Sequence, residues 1–165
     1  MLLYVPRSIR AVATLLAAVS AVVTIAAPAG AGAVQERIDR YLIDNPGGIQ
    51  VSATDIAYGD LIVTVVRSAA AGVPDCPSGW FCFYDGANYT YPRGKLSDCG
   101  PQDLGTWNWR NRVASVDYQS STGSVTFINE TGATDTALFT ASTSRRRIPD
   151  VAPNRDKADY VYRSC

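Results

Sequence analysis

Four cysteines constrain the fold of this chain more than any other feature of its sequence. They stand at positions 76, 82, 99 and 165 of 165 residues. An even number of cysteines in an exported protein is typical of a disulfide framework. Zinc binding is the competing interpretation, but the chain has no histidine and no C-x2-C pair. We therefore expect two disulfide bonds, for which the sequence allows three pairings.

The N-terminus has the order of a secretory signal peptide. Two arginines are followed by an uncharged run over residues 11–27 and by the small residues 29–33. We assign residues 1–33 to the signal, with cleavage after Ala33 or, alternatively, after Ala31. The apolar run is at the lower limit for spanning a bilayer, so a retained anchor is the lesser alternative. We expect a secreted, extracellular protein with no membrane contact after cleavage.

The remaining 132 residues suffice for one ordinary domain with a core. The signal contains two of the 15 basic residues and none of the 15 acidic ones, so the mature net charge is −2. This balance argues against nucleic acid as a partner. The lack of histidine excludes Ser-His-Asp and Cys-His catalysis. We therefore expect a protein that is not an enzyme. We also expect it to be a monomer.

A small α-β-β unit and a linker are predicted over residues 34–73. Apolar residues at helical spacing predict a helix over residues 34–44, and Asn-Pro-Gly-Gly at 45–48 stops it. Residues 49–66 have the pattern of a β-hairpin that turns at Gly59 and Asp60. A unit of this size is too small to be stable alone. It must dock on the main domain, pair with another chain, or act as a transient pro-segment.

Residues 74–165 have the pattern of an all-β domain, in which short apolar runs are separated by turn residues. Aromatic and apolar positions recur at a separation of 42 to 44 residues, which leaves room for two units. This predicts a Greek-key β-sandwich of two motifs. The predicted strands are residues 81–84, 94–96, 114–118, 125–129, 137–140 and 159–162.

The cysteine-rich segment resembles a known family. The carrying residues are C-P-S-G-W-F-C-F-Y at 76–84, A-N-Y at 87–89, D-C-G at 98–100, L-G at 104–105 and W-N-W at 107–109. They resemble the secreted actinobacterial peptidase inhibitor family thirty-six, whose type member is a streptomycete metalloproteinase inhibitor with a βγ-crystallin-like fold. The resemblance extends from residue 76 to about residue 162. It implies inhibition of a metalloproteinase by an exposed loop placed in the active-site cleft.

The resemblance also has implications for the scaffold. The first cysteine pair of the family is bridged locally, which favours a Cys76–Cys82 bond and leaves Cys99 to join Cys165. The alternative, Cys82–Cys99 with Cys76–Cys165, remains open.

The first β-hairpin of a βγ-crystallin motif is folded over by an aromatic corner, for which Tyr84 and Tyr89 fit. The glycine expected after them is replaced by Tyr91, so we expect a different turn, shifted towards Gly94.

Calcium is the cofactor that the fold family suggests, but both corresponding stretches, 110–115 and 155–160, begin with arginine where an oxygen ligand is needed. We therefore expect no cofactor. If calcium does bind, the residues that would have to carry it are Asn111, Ser115, Asp156 and Asp159.

The reactive loop of the type member is closed by a disulfide for which this chain has no cysteines. The segment over residues 141–149 is polar, basic and bounded by proline, which predicts a long exposed loop. We take Arg145, Arg146 and Arg147 as the candidate inhibitory residues. The alternative interpretation of these arginines is a solvated charge cluster.

A binding or structural module of the cell envelope is the alternative function. Exposed aromatic rings could stack on sugars or partner proteins, whereas buried rings would only fill the core. Two or more coplanar exposed rings would favour the binding module. The aromatic set comprises Trp80, Trp107, Trp109, Tyr84, Tyr89, Tyr91, Tyr118, Tyr160 and Tyr162.

Overall fold

The computed structural model describes residues 29–67, 72–132 and 134–165. The predicted signal peptide lies outside the described residues as far as position 28, and its last five residues belong to the first helix. Most of the predicted linker, residues 68–71, also lies outside the described part.

The N-terminal unit consists of helix α1 (Ala29–Asp44) and three short strands, β1 (Ile49–Gln50), β2 (Asp55–Tyr58) and β3 (Leu61–Thr64). The helix ends where predicted because Pro46 follows its last turn and Gly47 takes a φ of 97°. The predicted hairpin is present as β2 and β3, and β1 adds a third strand at its edge.

The main domain contains eight strands, and all six predicted ones are among them. The two additional strands, Gly100–Asp103 and Arg147–Ile148, were not predicted. The first of these begins with Gly-Pro and the second has only two residues, so neither has a recognisable alternation of apolar and polar residues. The strands are β4 (Phe81–Gly86), β5 (Thr90–Leu96), β6 (Gly100–Asp103), β7 (Ser115–Tyr118), β8 (Ser124–Glu130), β9 (Asp135–Ser142), β10 (Arg147–Ile148) and β11 (Tyr160–Ser164), with a 3₁₀ helix at Leu104–Trp107.

The strands form two antiparallel sheets. The larger sheet has the order β1-β2-β3-β5-β4-β7-β10, and the smaller sheet has the order β6-β11-β8-β9. In each half of the domain a hairpin is followed by a strand that crosses to the other sheet and by one that returns beside the hairpin. The two motifs thus exchange their third strands, β6 and β10, which confirms the predicted two-motif Greek-key β-sandwich.

The N-terminal unit docks on the main domain. Strand β3 pairs with β5, so that Val63 lies opposite Gly94 and Thr64 opposite Arg93. Ile38 of α1 is fully buried in the same hydrophobic core as Phe83 of β4. Of the three possibilities considered for residues 34–73, the structure therefore contains the docked arrangement.

Phe83 lies at the centre of the core between the two sheets. Its ring contacts Trp109 edge-on at 5.0 Å between centroids and Phe127 at 6.3 Å. A Cβ atom on Gly94 would lie 2.4 Å from the Phe83 ring, so only glycine fits beside it. The need for glycine at position 94 therefore comes from this packing within β5 and not from a turn.

Both disulfide bonds have the pairing that the family resemblance implied. Cys76 is bonded to Cys82, six residues along the chain, and Cys99 is bonded to Cys165 across 66 residues. The long-range bond ties the end of β11 to the segment before β6. The four cysteines are thus part of the scaffold.

Candidate functional site

An extended segment crosses the outer face of the seven-stranded sheet, on the side away from the core. We call this segment, residues 72–79, the strap. The Cys76–Cys82 bond joins it to β4, and Gly79 N–H donates to the carbonyl of Gln119 at 3.0 Å. At its other end, the Arg67 guanidinium donates to the carbonyl of Val73. The strap is therefore attached at one end to Arg67, after β3, and at the other end to Gln119, after β7.

Asp75 is the main anchor of the strap. Its carboxylate accepts hydrogen bonds from Arg93 Nη1 at 2.8 Å, from the Tyr84 hydroxyl at 3.2 Å and from the Tyr91 hydroxyl. Its backbone carbonyl accepts a second bond from Arg93 Nη1 at 2.8 Å. Both the side chain and the backbone of Asp75 are thus fixed against the sheet.

The electrostatics of this cluster keep Asp75 ionised. Burial alone would raise the pKa of Asp75, but the hydrogen bond from Tyr91 and the charge of Arg93 outweigh it and lower that pKa. Burial raises the pKa of Tyr84 and of Tyr91, so both hydroxyls remain protonated donors. The neighbouring Asp117 behaves differently, because burial raises its pKa above the ordinary range.

Arg93 extends the cluster to the N-terminal unit. Its Nη2 donates to the hydroxyl of Thr64 at 2.7 Å, and that hydroxyl donates to Asp55 at 2.5 Å. A continuous polar chain therefore joins the strap to the β2-β3 hairpin. Neither Asp75 nor Arg93 was predicted as a site residue, because the two are 18 residues apart and no local pattern pairs them. The one sequence signal is the position of Asp75 directly before Cys76.

The three candidate arginines lie in a tight turn, residues 142–147, which we call the arginine turn. Ser142 and Arg145 exchange backbone hydrogen bonds of 3.2 and 3.1 Å. The prediction of a long exposed loop over residues 141–149 was wrong, because β9 continues to Ser142 and β10 begins at Arg147.

Arg145 and Arg147 are exposed in this turn, whereas Arg146 is not. Arg146 is half-buried and donates to the carbonyls of Tyr118 and Ser120 at 3.1 and 2.9 Å. The Arg147 guanidinium lies 3.9 Å from the carboxylate of Asp117. The arginine turn thus borders the end of β7.

The aromatic corner is present, with the Tyr84 and Tyr89 rings packed edge to face at 5.4 Å between centroids. The left-handed conformations belong to Asn88 and Tyr89, with φ of 53° and 59°. The expected shift of the turn to Gly94 was therefore wrong. Burial of the Tyr89 ring against Tyr84 holds a backbone conformation that asparagine tolerates but tyrosine rarely adopts.

The four calcium candidates lie in two corresponding segments, each of which leads from a turn towards a strand, β7 or β11. Asn111 and Asp156 both have left-handed backbone conformations. The Asn111 N–H donates to the carbonyl of Ala158, and the Asp156 N–H donates to the carbonyl of Val113, so each turn is bonded to the other motif. The Ser115 hydroxyl donates to Gly86, and the Asp159 carboxylate accepts from the Glu130 N–H.

The arginine that begins each turn is ion-paired. Arg110 binds Asp103 through two nitrogens at 3.0 and 2.9 Å, and Arg155 binds Asp150 in the same way. Within the described ranges, no group of three or more acidic, cysteine or histidine side chains lies close enough to hold a metal ion.

Most of the aromatic set is structural. Trp109 is fully buried, Trp107 packs partly buried against the core, and the Trp80 ring lies 5.0 Å from the Lys95 ammonium. Among the large rings, Tyr162 on the smaller sheet is the most exposed, at 49%. Tyr160, two residues before it, is half-buried and its hydroxyl donates to Asp135.

Comparison with known proteins agrees with the resemblance in the sequence. Residues 69–141 match the model of peptidase inhibitor family I36. Neither a curated protein nor a solved structure matches the chain. Among the described residues, no helix has the length and apolar character needed to cross a membrane. The matched segment contains the strap and the Cys76–Cys82 bond, and it supports the resemblance of this part of the chain to peptidase inhibitor family I36.

Proposed function

We propose that this protein is secreted and inhibits an extracellular proteinase without catalysing a reaction itself. The match of residues 69–141 to a peptidase inhibitor family carries the proposal. The resemblance to the streptomycete inhibitor makes a metalloproteinase the first target to test. The two disulfide bonds suit an oxidising, extracellular environment. The protein acts as a monomer in this proposal.

The mechanism is occupation of the active-site cleft by a rigid segment. A segment already fixed by disulfides and hydrogen bonds loses little conformational entropy when it binds. Both the strap and the arginine turn meet this requirement through their contacts with the end of β7. We assign to Arg145 a contact with the proteinase surface, where its charge would accelerate association with an acidic rim.

The direct test is inhibition by the secreted protein after removal of its signal. Thermolysin-like, subtilisin-like and trypsin-like proteinases are each incubated with it, and hydrolysis of a peptide substrate is followed. We expect inhibition of the thermolysin-like enzyme. The variant Arg145→Glu should slow association severalfold at low salt, while Arg40→Glu, an exposed site on α1, serves as the charge-matched control. If the protein inhibits none of the three classes, the proposal is excluded.

A binding module remains the second candidate, and the exposed Tyr162 on the outer face of the smaller sheet favours it. Tyr160 shares this face because it stands two residues away on the same strand. Binding of polysaccharide to this face would quench tyrosine fluorescence, and Tyr162→Ala would abolish the effect.

A further inference from the structure

The strap has exposed side chains on a backbone that is anchored to the sheet. Val73 is 55% exposed, and residues 77–79 are exposed as well. No strand pairs with the strap in the part of the chain that the structure describes. On its inner side, Asp75 and Cys76 hold the chain to β5 and β4. An extended backbone with one face anchored and one face open is therefore presented to solvent.

We propose that the strap is the segment that lies in the proteinase cleft, and that Val73 fills the specificity pocket of the target. This inference rests on the proposed function and names the contact by which it operates. Alternate side chains of an extended segment enter pockets when the segment lies in a cleft. The Val73 carbonyl already accepts from Arg67 and Pro74 has no N–H, so the Val73 side chain makes this contact without backbone pairing. A branched aliphatic side chain requires an apolar pocket, so the partner is a proteinase that prefers apolar residues.

The arginine turn is less suited to this role. The backbone groups of Ser142 and Arg145 are hydrogen-bonded to each other, so the turn cannot present an extended backbone without breaking them. In addition, Arg145 would require an acidic specificity pocket, and Ile148, three residues after it, is only 3% exposed. The turn therefore contributes side-chain contacts at the rim of the interface.

The anchors on both sides of Val73 explain why the strap would inhibit rather than be released as a product. The carbonyl of Val73 accepts a hydrogen bond from Arg67, three residues beyond the end of the paired strand β3. Two residues later Asp75 is bound to Arg93, and Cys76 is bonded to Cys82. The chain on either side of Val73 remains attached to the sheet, so the bound segment separates slowly from the cleft.

The experiment compares Val73→Asp and Val73→Arg with the wild type. Ile43→Asp is the control, since Ile43 is 78% exposed on α1, which packs on the opposite face of the sheet. Inhibition constants are measured against thermolysin-like and trypsin-like proteinases, and melting temperatures verify folding. We expect Val73→Asp to weaken inhibition of the thermolysin-like enzyme at least tenfold. Ile43→Asp should change it less than twofold, and Val73→Arg, which also places a charge in the apolar pocket, should weaken it at least tenfold.

The outcomes separate this inference from the function on which it rests. If the wild type inhibits the thermolysin-like enzyme and both Val73 variants do so within twofold, the strap is not the reactive segment, although the protein is an inhibitor. Inhibition confined to the trypsin-like enzyme and lost in Arg145→Ala would also overturn the inference in favour of the arginine turn. If the wild type inhibits neither class, nor a subtilisin-like one, both the inference and the proposed function fail.

Discussion

Arg93 of β5 and Asp75 of the strap form an ion pair of 2.8 Å, with side chains 7% and 23% exposed. The same guanidinium reaches Thr64 of the N-terminal unit with its second nitrogen. A single side chain thus connects three parts of the protein, the strap, the main domain and the β2-β3 hairpin. Its removal should affect both the stability of the fold and the rigidity of the strap.

The variant Arg93→Ala should lower the free energy of unfolding by about 3 kcal/mol, because it leaves the part-buried carboxylate of Asp75 without its charged partner. Urea denaturation of the wild type and the variant measures this difference. Arg40→Ala is the control, since Arg40 and its partner Glu36 are 70% and 71% exposed and should contribute almost nothing. Equal effects of the two substitutions would contradict the assigned role of Arg93.

The pH dependence of stability should include a contribution from Asp75. Its pKa is lower in the folded state than the unfolded value of about 3.9. The stabilisation is therefore complete above that unfolded value and is lost as the pH falls through the folded pKa. Asp117, with a raised pKa, contributes in the opposite direction, with stability lost as the pH rises through its folded pKa.

Urea denaturation between pH 7 and pH 2 tests this expectation with the variant Asp75→Asn, in which the carboxylate is replaced by a neutral group of similar shape. The stability difference between wild type and variant should decrease at acid pH. A difference that is independent of pH would show that Asp75 is not held in its charged form.

The N-terminal unit should remain part of the mature protein. Ile38 is fully buried in the common core, so Ile38→Ala should lower the free energy of unfolding by about 3 kcal/mol. Mass spectrometry of the secreted protein should find its first residue near Val34. A first residue near Val73 or Asp75 would instead identify residues 34–73 as a pro-segment.

The two disulfides should contribute unequally to stability. The Cys99–Cys165 bond closes a much longer loop than the Cys76–Cys82 bond, with separations of 66 and 6 residues. On the chain-entropy model their removal should cost about 4 and about 2 kcal/mol respectively. Double Cys→Ser variants compared by urea denaturation measure the two values, and the reverse order would contradict the model for this protein.

Calcium should not stabilise the protein. The positions at which the calcium pattern needs an oxygen ligand are occupied by Arg110 and Arg155, whose guanidinium groups bind Asp103 and Asp150. We expect the same melting temperature in millimolar calcium and in a chelator. A calcium-dependent rise would show that Asn111 or Asp156 coordinates the ion, and the variants Asn111→Ala and Asp156→Ala would then locate the site.

The sequence by itself predicted the features that depend on local patterns. Alternating apolar residues predicted six strands of the main domain, and the Asn-Pro-Gly-Gly stop after Asp44 predicted the end of the helix. The motif around Cys76 and Cys82 indicated a resemblance to the peptidase inhibitor family whose model matches residues 69–141. These signals are readable because each depends on residues close together in the chain.

Only the tertiary structure decided how these elements form a candidate site. The Asp75–Arg93 pair joins residues from the strap and from β5, and the partners of Arg146 lie at the end of β7. The conformation of Tyr89 is likewise imposed by packing against Tyr84. Each of these relationships depends on strand pairing and burial between distant segments, which no local pattern encodes. The sequence therefore predicted that the cysteines form disulfide bonds. It did not predict that the Cys76–Cys82 bond holds the strap across the sheet.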